Sequence, residues 1–212
     1  MATTKRPKIA LPAGEAVLAF VDRPSTKFNE DGEYAVIVRL DPKDAKVKEL
    51  MKSLTTAAEA ARKEEAKKNP KVAKYALFVP FKDEENEEGE KTGMVVFKAK
   101  SKAKIEYNDE TKPIVIPMFD AKGARMNAAI GRGSVLRVSA QIIPIAVAAT
   151  KMAGVSLRLS AVQVLKLEQY SGGNADSFGF DVEDGYESPE QGSAESDEAP
   201  EASEGDSDSS DF

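Results

Sequence analysis

Four lysines spaced two residues apart form a pattern that can bind a polyanion. They are Lys98, Lys100, Lys102 and Lys104. On a β-strand all four side chains leave the same face at intervals of roughly 6.6 Å, and residues 97–107 place a mostly apolar set on the other face. Ammonium groups at this spacing suit the phosphates of an extended nucleic-acid strand, and such binding weakens with salt. The alternative is an edge strand on which lysines prevent aggregation.

Aromatic rings and further cations are the second requirement for holding a single strand, because bases stack on exposed rings. Candidate rings on or near the ends of expected strands are Phe20, Tyr34, Tyr75 and Tyr107. Candidate arginines for the basic surface are Arg23, Arg39, Arg132 and Arg137. Burial in the core is the alternative for each ring. Tyr107 shares the apolar face of the lysine strand, so it reaches a ligand only from a bulge or a strand end.

Several classes of chemistry are excluded by composition. The chain has no Cys and no His, which removes disulfides, thiolate sites, the usual general base and the commonest zinc ligand. The Gly131–Ser134 segment lacks the Gly-Lys-Ser/Thr ending of a nucleotide-binding loop and precedes a strand. No apolar run approaches the roughly 20 residues of a membrane span. We therefore expect a cytoplasmic binding protein with no catalytic activity, no metal site and no cofactor.

The charge is divided between two parts of the chain. Residues 1–170 contain all 30 basic residues and 22 of the 36 acidic ones, a net charge of +8, while residues 171–212 contain 14 acidic residues and no base. The second part is too polar to offset its ordering entropy, so we predict a folded domain over 1–170 and a disordered acidic tail over 171–212. Asp211 and Phe212 end the tail with a carboxylate and a ring suited to a basic-rimmed pocket on a partner. The tail can also compete with nucleic acid for the basic groove.

Apolar runs and turn residues predict the elements that position these groups. A helix is expected from Asp41-Pro42 to Asn69-Pro70, and an acidic loop over residues 82–91. Strands are expected over residues 16–21, 33–40, 94–107, 113–119, 134–145 and 155–167. The sequence therefore predicts a mainly β, mostly antiparallel domain with one inserted helix.

The order of several motifs along the chain resembles a known family. They are Val96–Lys100, Phe119–Gly123, Ile130–Val138, the strand Val155–Leu167, and Asp211-Phe212. Together they resemble the replicative single-stranded DNA-binding proteins of T7-type bacteriophages, which have an OB-fold core and an acidic tail ending in Asp-Phe.

The resemblance implies an OB-fold-like barrel that coats single-stranded DNA during phage DNA replication, recombination and repair, in the cytoplasm of the bacterial host. It further implies a tail that recruits the phage DNA polymerase and helicase-primase, and self-association into a homodimer. A basic position of the family's groove falls on Lys100. Family aromatics are replaced by Ile145, Val147 and Lys102, which leaves duplex DNA open as a second ligand.

Two other functions fit part of the pattern. An acidic-tailed chaperone or DNA mimic would use the tail to sequester basic partners. A metal-dependent nuclease would have to be built from Asp and Glu alone. Salt-sensitive DNA binding by the body of the protein separates the first alternative from the leading hypothesis.

Overall fold

The computed structural model describes residues 7–27, 29–107 and 110–168. Twelve strands, one α-helix and one short 3₁₀ helix lie in these ranges. The strands are β1 (Lys8–Ala10), β2 (Gly14–Ser25), β3 (Glu33–Leu40), β4 (Ala76–Phe78), β5 (Phe81–Glu85), β6 (Lys91–Lys102), β7 (Lys104–Tyr107), β8 (Glu110–Pro113), β9 (Met118–Phe119), β10 (Arg125–Met126), β11 (Val135–Val147) and β12 (Met152–Lys166). Helix α1 (Ala45–Lys68) and the 3₁₀ helix (Pro70–Lys74) lie between β3 and β4.

Five of the strands close into a barrel. β2 pairs with β3, β3 with β6, β6 with β12 and β12 with β11, and β11 returns to β2 at Val135 and Leu136. Closure removes the free edges at which an open sheet aggregates. All pairs in the ring are antiparallel apart from β6–β12, which is parallel. The prediction of a mainly β barrel with one inserted helix is confirmed, with this one parallel pair as an addition.

Strand β12 has more pairing partners than any other described strand. It pairs with β11 along almost its whole length and in parallel with short stretches of β4, β6 and β9. Gly154 permits the approach of β4, since a Cβ at this position would lie 2.0 Å from the carbonyl oxygen of Phe78. The approach places residues 76–81 beside the barrel, where they form one wall of a groove described below.

The core follows the period-two pattern of the strands. Phe97, Leu136 and Leu157 are among the largest fully buried side chains, and the residues on either side of each along its strand are more exposed. Such alternation buries one face of each strand inside the barrel and presents the other outside. The outer face is therefore where strand residues can meet a ligand.

Helix α1 covers part of the barrel by packing on β11 and β12. Its buried residues are Val47, Leu54 and Ala58, which recur along one side. The predicted start at Asp41 is wrong by one turn: Asp41 caps a tight turn by accepting from the N–H of Lys43, and Asp44 caps the helix by accepting from the N–H of Lys46. The predicted end is confirmed, because Asn69 terminates α1 and Pro70 begins the 3₁₀ helix.

Two other local predictions are wrong. Residues 82–91 are not one loop, because Phe81–Glu85 forms β5 and pairs with β6 despite its acidic side chains. Residues 113–119 are not one strand, because β8 ends at Pro113 and β9 comprises only Met118 and Phe119. Residues 81–85 form a strand because β6 pairs with them, and residues 114–117 form none because no neighbouring strand pairs with them. Local composition does not predict such pairing.

The chain divides into two units, Met1–Gly172 and Gly173–Phe212, and every described residue belongs to the first. The predicted tail and its terminal residues Asp211 and Phe212 lie outside the described residues. The predicted boundary after residue 170 stays a prediction.

Candidate nucleic-acid interface

One row of residues crosses six strands on the outer face of the barrel. Its members, in the order in which the strands pair, are Lys8, Gln141, Arg158, Lys100, Ala35 and Phe20. Neighbouring strands lie about 4.8 Å apart, so the row extends for about 24 Å. We call this set the first row.

The first row faces outward because its sequence neighbours fill the core. Ala99 beside Lys100 and Leu157 beside Arg158 are each 1 % exposed, whereas both cations are exposed. Lys100 and Arg158 are register partners on the adjacent strands β6 and β12. The two neighbouring cations concentrate positive charge at the middle of the first row, which favours a polyanionic ligand.

The predicted lysine ladder is present on β6 for three of its four members. Lys98, Lys100 and Lys102 are exposed and alternate with the buried residues Ala99 and Ser101. β6 ends at Lys102, and the chain bends at Ala103, whose backbone bonds to Gly32 and Ile114. Lys104 therefore lies on β7, in a separate two-stranded sheet with β8. The prediction that Lys104 continues the same strand is wrong.

The ladder lysines differ in their ionic partners. Lys100 Nζ lies 2.9 Å from Glu33 Oε2, and Lys104 Nζ lies 3.3 Å from Asp31 Oδ1. In the described ranges neither Lys98 nor Lys102 forms a salt bridge, and Arg158 forms none either. Exposed ion pairs contribute little stability, so phosphates can replace Glu33 and Asp31 at low cost.

Two grooves border the lysines of β6, and both include Lys98 and Lys100. The first, of about 520 Å³, lies over β2 and β3 and is lined by Leu18, Phe20 and Ala35 among others. Phe20 is 37 % exposed there, so its ring is available to a base, as predicted. Cations beside an exposed ring provide the two contacts that single strands require.

The second groove, of about 430 Å³, is mostly apolar and lies on the other side of the same lysines. Its walls come from β3 and from the segment that Gly154 draws close, including Ile37, Phe78, Pro80 and Phe81. Phe81 packs against the core ring of Phe97 with a centroid distance of 5.3 Å. Apolar walls accept a base without reading its hydrogen-bonding edge, which suits sequence-tolerant binding.

Arg39 forms salt bridges with two carboxylates. Its Nη2 lies 2.6 Å from Glu84 Oε1, and its Nη1 lies 3.3 Å from Glu15 Oε1. Thr92 Oγ1 also donates to Glu84, at 2.8 Å. The hydrogen bond from Arg39 lowers the pKa of Glu84 although burial opposes the shift, and the same bond raises the pKa of Arg39. Arg39 is thus paired with two carboxylates and links β2, β3 and β5, and its predicted contact with phosphate stays a prediction.

The three tyrosines predicted to stack on bases have different outcomes in the structure. Tyr34 is 6 % exposed and belongs to the core, so its predicted stacking on bases is wrong. Tyr75 is half-buried after the 3₁₀ helix, where its carbonyl accepts from Arg62, and it lines neither groove. The backbone of Tyr107 ends β7, and its side chain lies outside the described residues.

The remaining predicted arginines are exposed but scattered. Arg23 lies near the end of β2, 3.8 Å from Asp22. Arg132 lies in the turn before β11. Arg137, on β11, borders a third pocket that shares no lining residue with the two grooves. The structure does not bring these three arginines together with the ladder lysines.

Two cations of the first row were missed by sequence reasoning. Arg158 is the outward residue between the buried residues Leu157 and Leu159 of β12. A lone charged residue in an alternating apolar strand indicates an outward side chain, and this pattern could have identified Arg158 from the sequence. Lys8 lies on β1, a strand of three residues. Their alignment with Lys100 depends on register between distant segments, which no local pattern contains.

The described ranges contain neither a cluster of metal-ligating side chains nor a membrane-spanning helix. In residues 7–27, 29–107 and 110–168 no group of three or more Asp or Glu side chains converges as a metal site would require. The described helices include none long and apolar enough to cross a membrane.

The family resemblance is supported by comparison with known sequences. The family model of the single-stranded DNA-binding protein of bacteriophage T7 matches residues 13–167. The single-stranded DNA-binding protein of Enterobacteria phage T3 is 31 % identical over 170 residues, covering 74 % of this chain and 72 % of that protein. The corresponding protein of Escherichia phage T7 is 30 % identical over 171 residues with the same coverage.

Solved structures agree with the sequence matches. The crystal structure of the single-stranded DNA-binding protein encoded by bacteriophage T7 has a TM-score of 0.65 and 27 % identity, over 87 % of this chain and 100 % of that one. The single-stranded DNA-binding protein of bacteriophage Enc34, solved with single-stranded DNA, has a TM-score of 0.50 and 11 % identity, over 78 % and 89 % of the two chains, and supports the fold alone. The closed five-stranded barrel is accordingly of the OB type.

These relatives are binding proteins and not enzymes, which confirms the prediction of a protein without catalytic activity. The family model spans the whole barrel, including β6 and β12 with their outward cations. The chain belongs to the family of the single-stranded DNA-binding protein of bacteriophage T7.

Proposed function

We propose that this chain coats single-stranded DNA in phage DNA replication, recombination and repair, with the strand lying along the first row. The observation that carries the proposal is the alignment of Lys8, Arg158 and Lys100 across the barrel, ending at the exposed ring of Phe20. Lys98 and Lys102 widen the row along β6. The DNA then crosses the strands and does not run parallel to them.

Phosphates bind to the cations, and bases enter the two grooves. Each phosphate neutralised on a single strand adds about 0.7 to the magnitude of the salt slope, the fall in log affinity per unit of log salt concentration. The base contacts are a ring surface at Phe20 and the apolar walls around Phe78 and Phe81. Neither contact selects one base, so the proposed binding is tolerant of sequence.

The acidic tail supplies the second part of the proposed function. Its 14 acidic residues make it a competitor for the cations of the first row, tethered at high effective concentration. DNA displaces the tail, which then presents Asp211 and Phe212 to the phage DNA polymerase and helicase-primase. Self-association of the chain through the same tail, in the cytoplasm of the bacterial host, belongs to this proposal.

The test is the anisotropy of a labelled dT oligonucleotide of about 16 nucleotides, the upper site size of one OB fold, titrated across a salt series. Four proteins are compared: the full chain, residues 1–170, a Lys98→Ala/Arg158→Ala variant, and a control with Lys52→Ala/Lys63→Ala on exposed positions of α1. Unlabelled duplex DNA serves as competitor.

We expect salt-sensitive binding by the full chain and tighter binding by the truncation. The Lys98/Arg158 variant should lose about 1.4 from the salt slope, for two phosphate contacts, while the α1 control keeps it. Equal losses in both double variants would show that binding follows net charge and not the first row. Absence of binding by the full chain and by the truncation would end the proposal.

A further inference from the structure

A second row of outward residues crosses the barrel beyond the first. Arg137 on β11 lies opposite Gln163 on β12, Gln163 lies opposite Phe119 on β9, and Phe119 lies opposite Arg125 on β10. We call these four residues the second row. Three interstrand steps separate the backbone positions of the two arginines by about 14 Å across the sheet.

The second row is on the outer face and its cations are available. Met118 and Val138, which adjoin it along their strands, are 5 % and 1 % exposed, whereas Arg125 and Arg137 are exposed and Phe119 is half-buried. In the described ranges neither arginine forms a salt bridge. The nearest acid in sequence, Asp120, accepts through Oδ1 from the backbone N–H groups of Lys122 and Ala124 in its own turn.

A pocket of about 370 Å³ lies beside the row, bordered by Arg137, Phe119 and Gln163. The Gln163 side chain is fixed, because its Nε2 donates to the carbonyls of Asp120 at 3.2 Å and Ala121 at 3.3 Å. Its Oε1 therefore remains as an acceptor at the pocket. The pocket offers a ring face, an amide oxygen and a cation within one concave surface.

The two rows are joined by a strip of small residues. Ala10, Ser139 and Ala161 lie opposite one another on β1, β11 and β12 and line the pocket. Arg137 lies four residues from Gln141 of the first row, about 13 Å along β11. No large side chain of these three strands stands in the strip, so a chain molecule can lie across it.

We propose that the second row binds a further segment of single-stranded nucleic acid, with one base against Phe119 and phosphates at Arg125 and Arg137. This inference rests on the proposed function, since it adds a second track for the same ligand. Cations about 14 Å apart span about two phosphate intervals of an extended strand, at roughly 6.6 Å each, so phosphates two nucleotides apart can bind the arginines while a base between them lies against the ring. An acidic peptide ending in an aromatic residue would instead be served by cations gathered around one pocket.

The segment has two sources with the same chemistry. It is either the continuation of the strand that occupies the first row or a second strand held beside it. In the first case the row lengthens the occluded site of each protein molecule. In the second case it holds two strands within one protein.

The test uses the full chain, residues 1–170, an Arg125→Ala/Arg137→Ala variant and the Lys52→Ala/Lys63→Ala control, which removes the same charge from α1. Affinity and salt slope are measured for dT oligonucleotides of about 8 and about 30 nucleotides, inside and beyond the site size of one OB fold. A second arm mixes short non-complementary oligonucleotides carrying donor or acceptor dyes and measures energy transfer on the protein.

For a continuing strand, the arginine variant should bind the long oligonucleotide at least about tenfold more weakly, since charge-assisted hydrogen bonds contribute about this much, with a salt slope lower by about 1.4. Its affinity for the short oligonucleotide should equal that of the unmodified chain. For a second strand, the variant should lose the energy transfer between the short oligonucleotides and keep its affinity for the long one. Either result supports the inference, provided that the α1 control changes neither arm.

Unchanged behaviour of the arginine variant in both arms would overturn the inference and leave the proposed function standing. So would a variant that loses only binding of a peptide carrying residues 201–212, because the pocket would then serve the tail. Failure of both the unmodified chain and residues 1–170 to bind the long oligonucleotide would overturn the proposed function itself. The three failures are therefore distinguishable.

Discussion

The β3–β6 pair carries cations at both of its ends and uses them in opposite ways. The lysines run from one end of the pair to its middle: Lys102 and Lys98 face solvent without a salt bridge in the described ranges, and the bond of Lys100 to Glu33 is an exposed one. At the other end Arg39 is held by Glu84 and Glu15, with Glu84 only 8 % exposed. The type of side chain does not separate a ligand-binding cation from a structural one. The number and the burial of its carboxylate partners do, since Lys100 has one partly exposed partner while Arg39 has two, one of them buried.

The largest effect is expected at the arginine end. Glu84→Gln removes the charge that neutralises Arg39, and breaking a buried pair in this way costs about 3–5 kcal/mol, less where one partner is partly exposed. We expect a loss of about 2–3 kcal/mol in the free energy of unfolding, measured by urea denaturation. Affinity for DNA, measured below the transition, should stay unchanged.

The control for this variant is Glu88→Gln, in the exposed turn between β5 and β6. It removes an equal charge and should leave the urea midpoint where it is. A Glu84→Gln protein that keeps its stability but loses DNA binding would reverse the roles assigned to the two ends.

The pH dependence of stability should come from the same end. Because the pKa of Glu84 is lower in the folded protein than its ordinary value of 4.5, the ion pair contributes its full stabilisation above that value. The contribution declines as the pH falls below 4.5 toward the folded pKa. Urea denaturation from pH 6 to pH 3 should show this decline in the unmodified chain and a smaller one in Glu84→Gln. If the free energy of unfolding fell equally with pH in both proteins, Glu84 would not be the source of the decline.

At the lysine end a change of charge should affect binding more than stability. Lys98→Glu places an acid beside the first row and should weaken binding of single-stranded DNA by about tenfold, or about 1.4 kcal/mol, with a lower salt slope. Lys52→Glu on α1 is the matched reversal and should do much less. Salt titrations by anisotropy compare the two. Equal losses would indicate that only net charge matters.

The smallest expected effect separates stacking from charge. Phe20→Leu keeps an apolar side chain over β2 and removes the ring, so binding should weaken by about 1 kcal/mol. The salt slope should not change, because no cation is removed. Val115→Ala, at a residue 78 % exposed and outside both grooves, is the control. A reduced slope in Phe20→Leu would mean that the substitution disturbed the lysines.

Period-two patterns predicted much of this surface from sequence. The alternation on β6 correctly separated the outward residues Lys98, Lys100 and Lys102 from the core. The same rule places Tyr34 with Val36 and Val38 on the buried face of β3, so alternation already argues against stacking of Tyr34 on a base. Alternation reports which face a residue occupies as long as the strand continues, and it failed at Lys104 because the strand ends at Lys102.

Partnerships between distant segments could not be predicted in this way. Arg39 and Glu84 are 45 residues apart, and nothing local to either indicates the other. Arg158 reaches Lys100 through a parallel pairing of only two residue pairs. Register is decided by packing of the whole barrel, so the first row became visible only in three dimensions.

The position of β12 as the last described strand has a consequence for the order of events during synthesis. Barrel closure needs β12, since it joins β6 to β11 and also holds β4 and β9. Non-local pairing of this kind folds slowly and late. A nascent chain that has emerged only as far as β6 carries the ladder lysines without Arg158, without Gln141 and without a closed barrel to align them. The first row is therefore assembled in one late step, when β12 pairs with β6 and β11 and aligns Arg158 and Gln141 with Lys100.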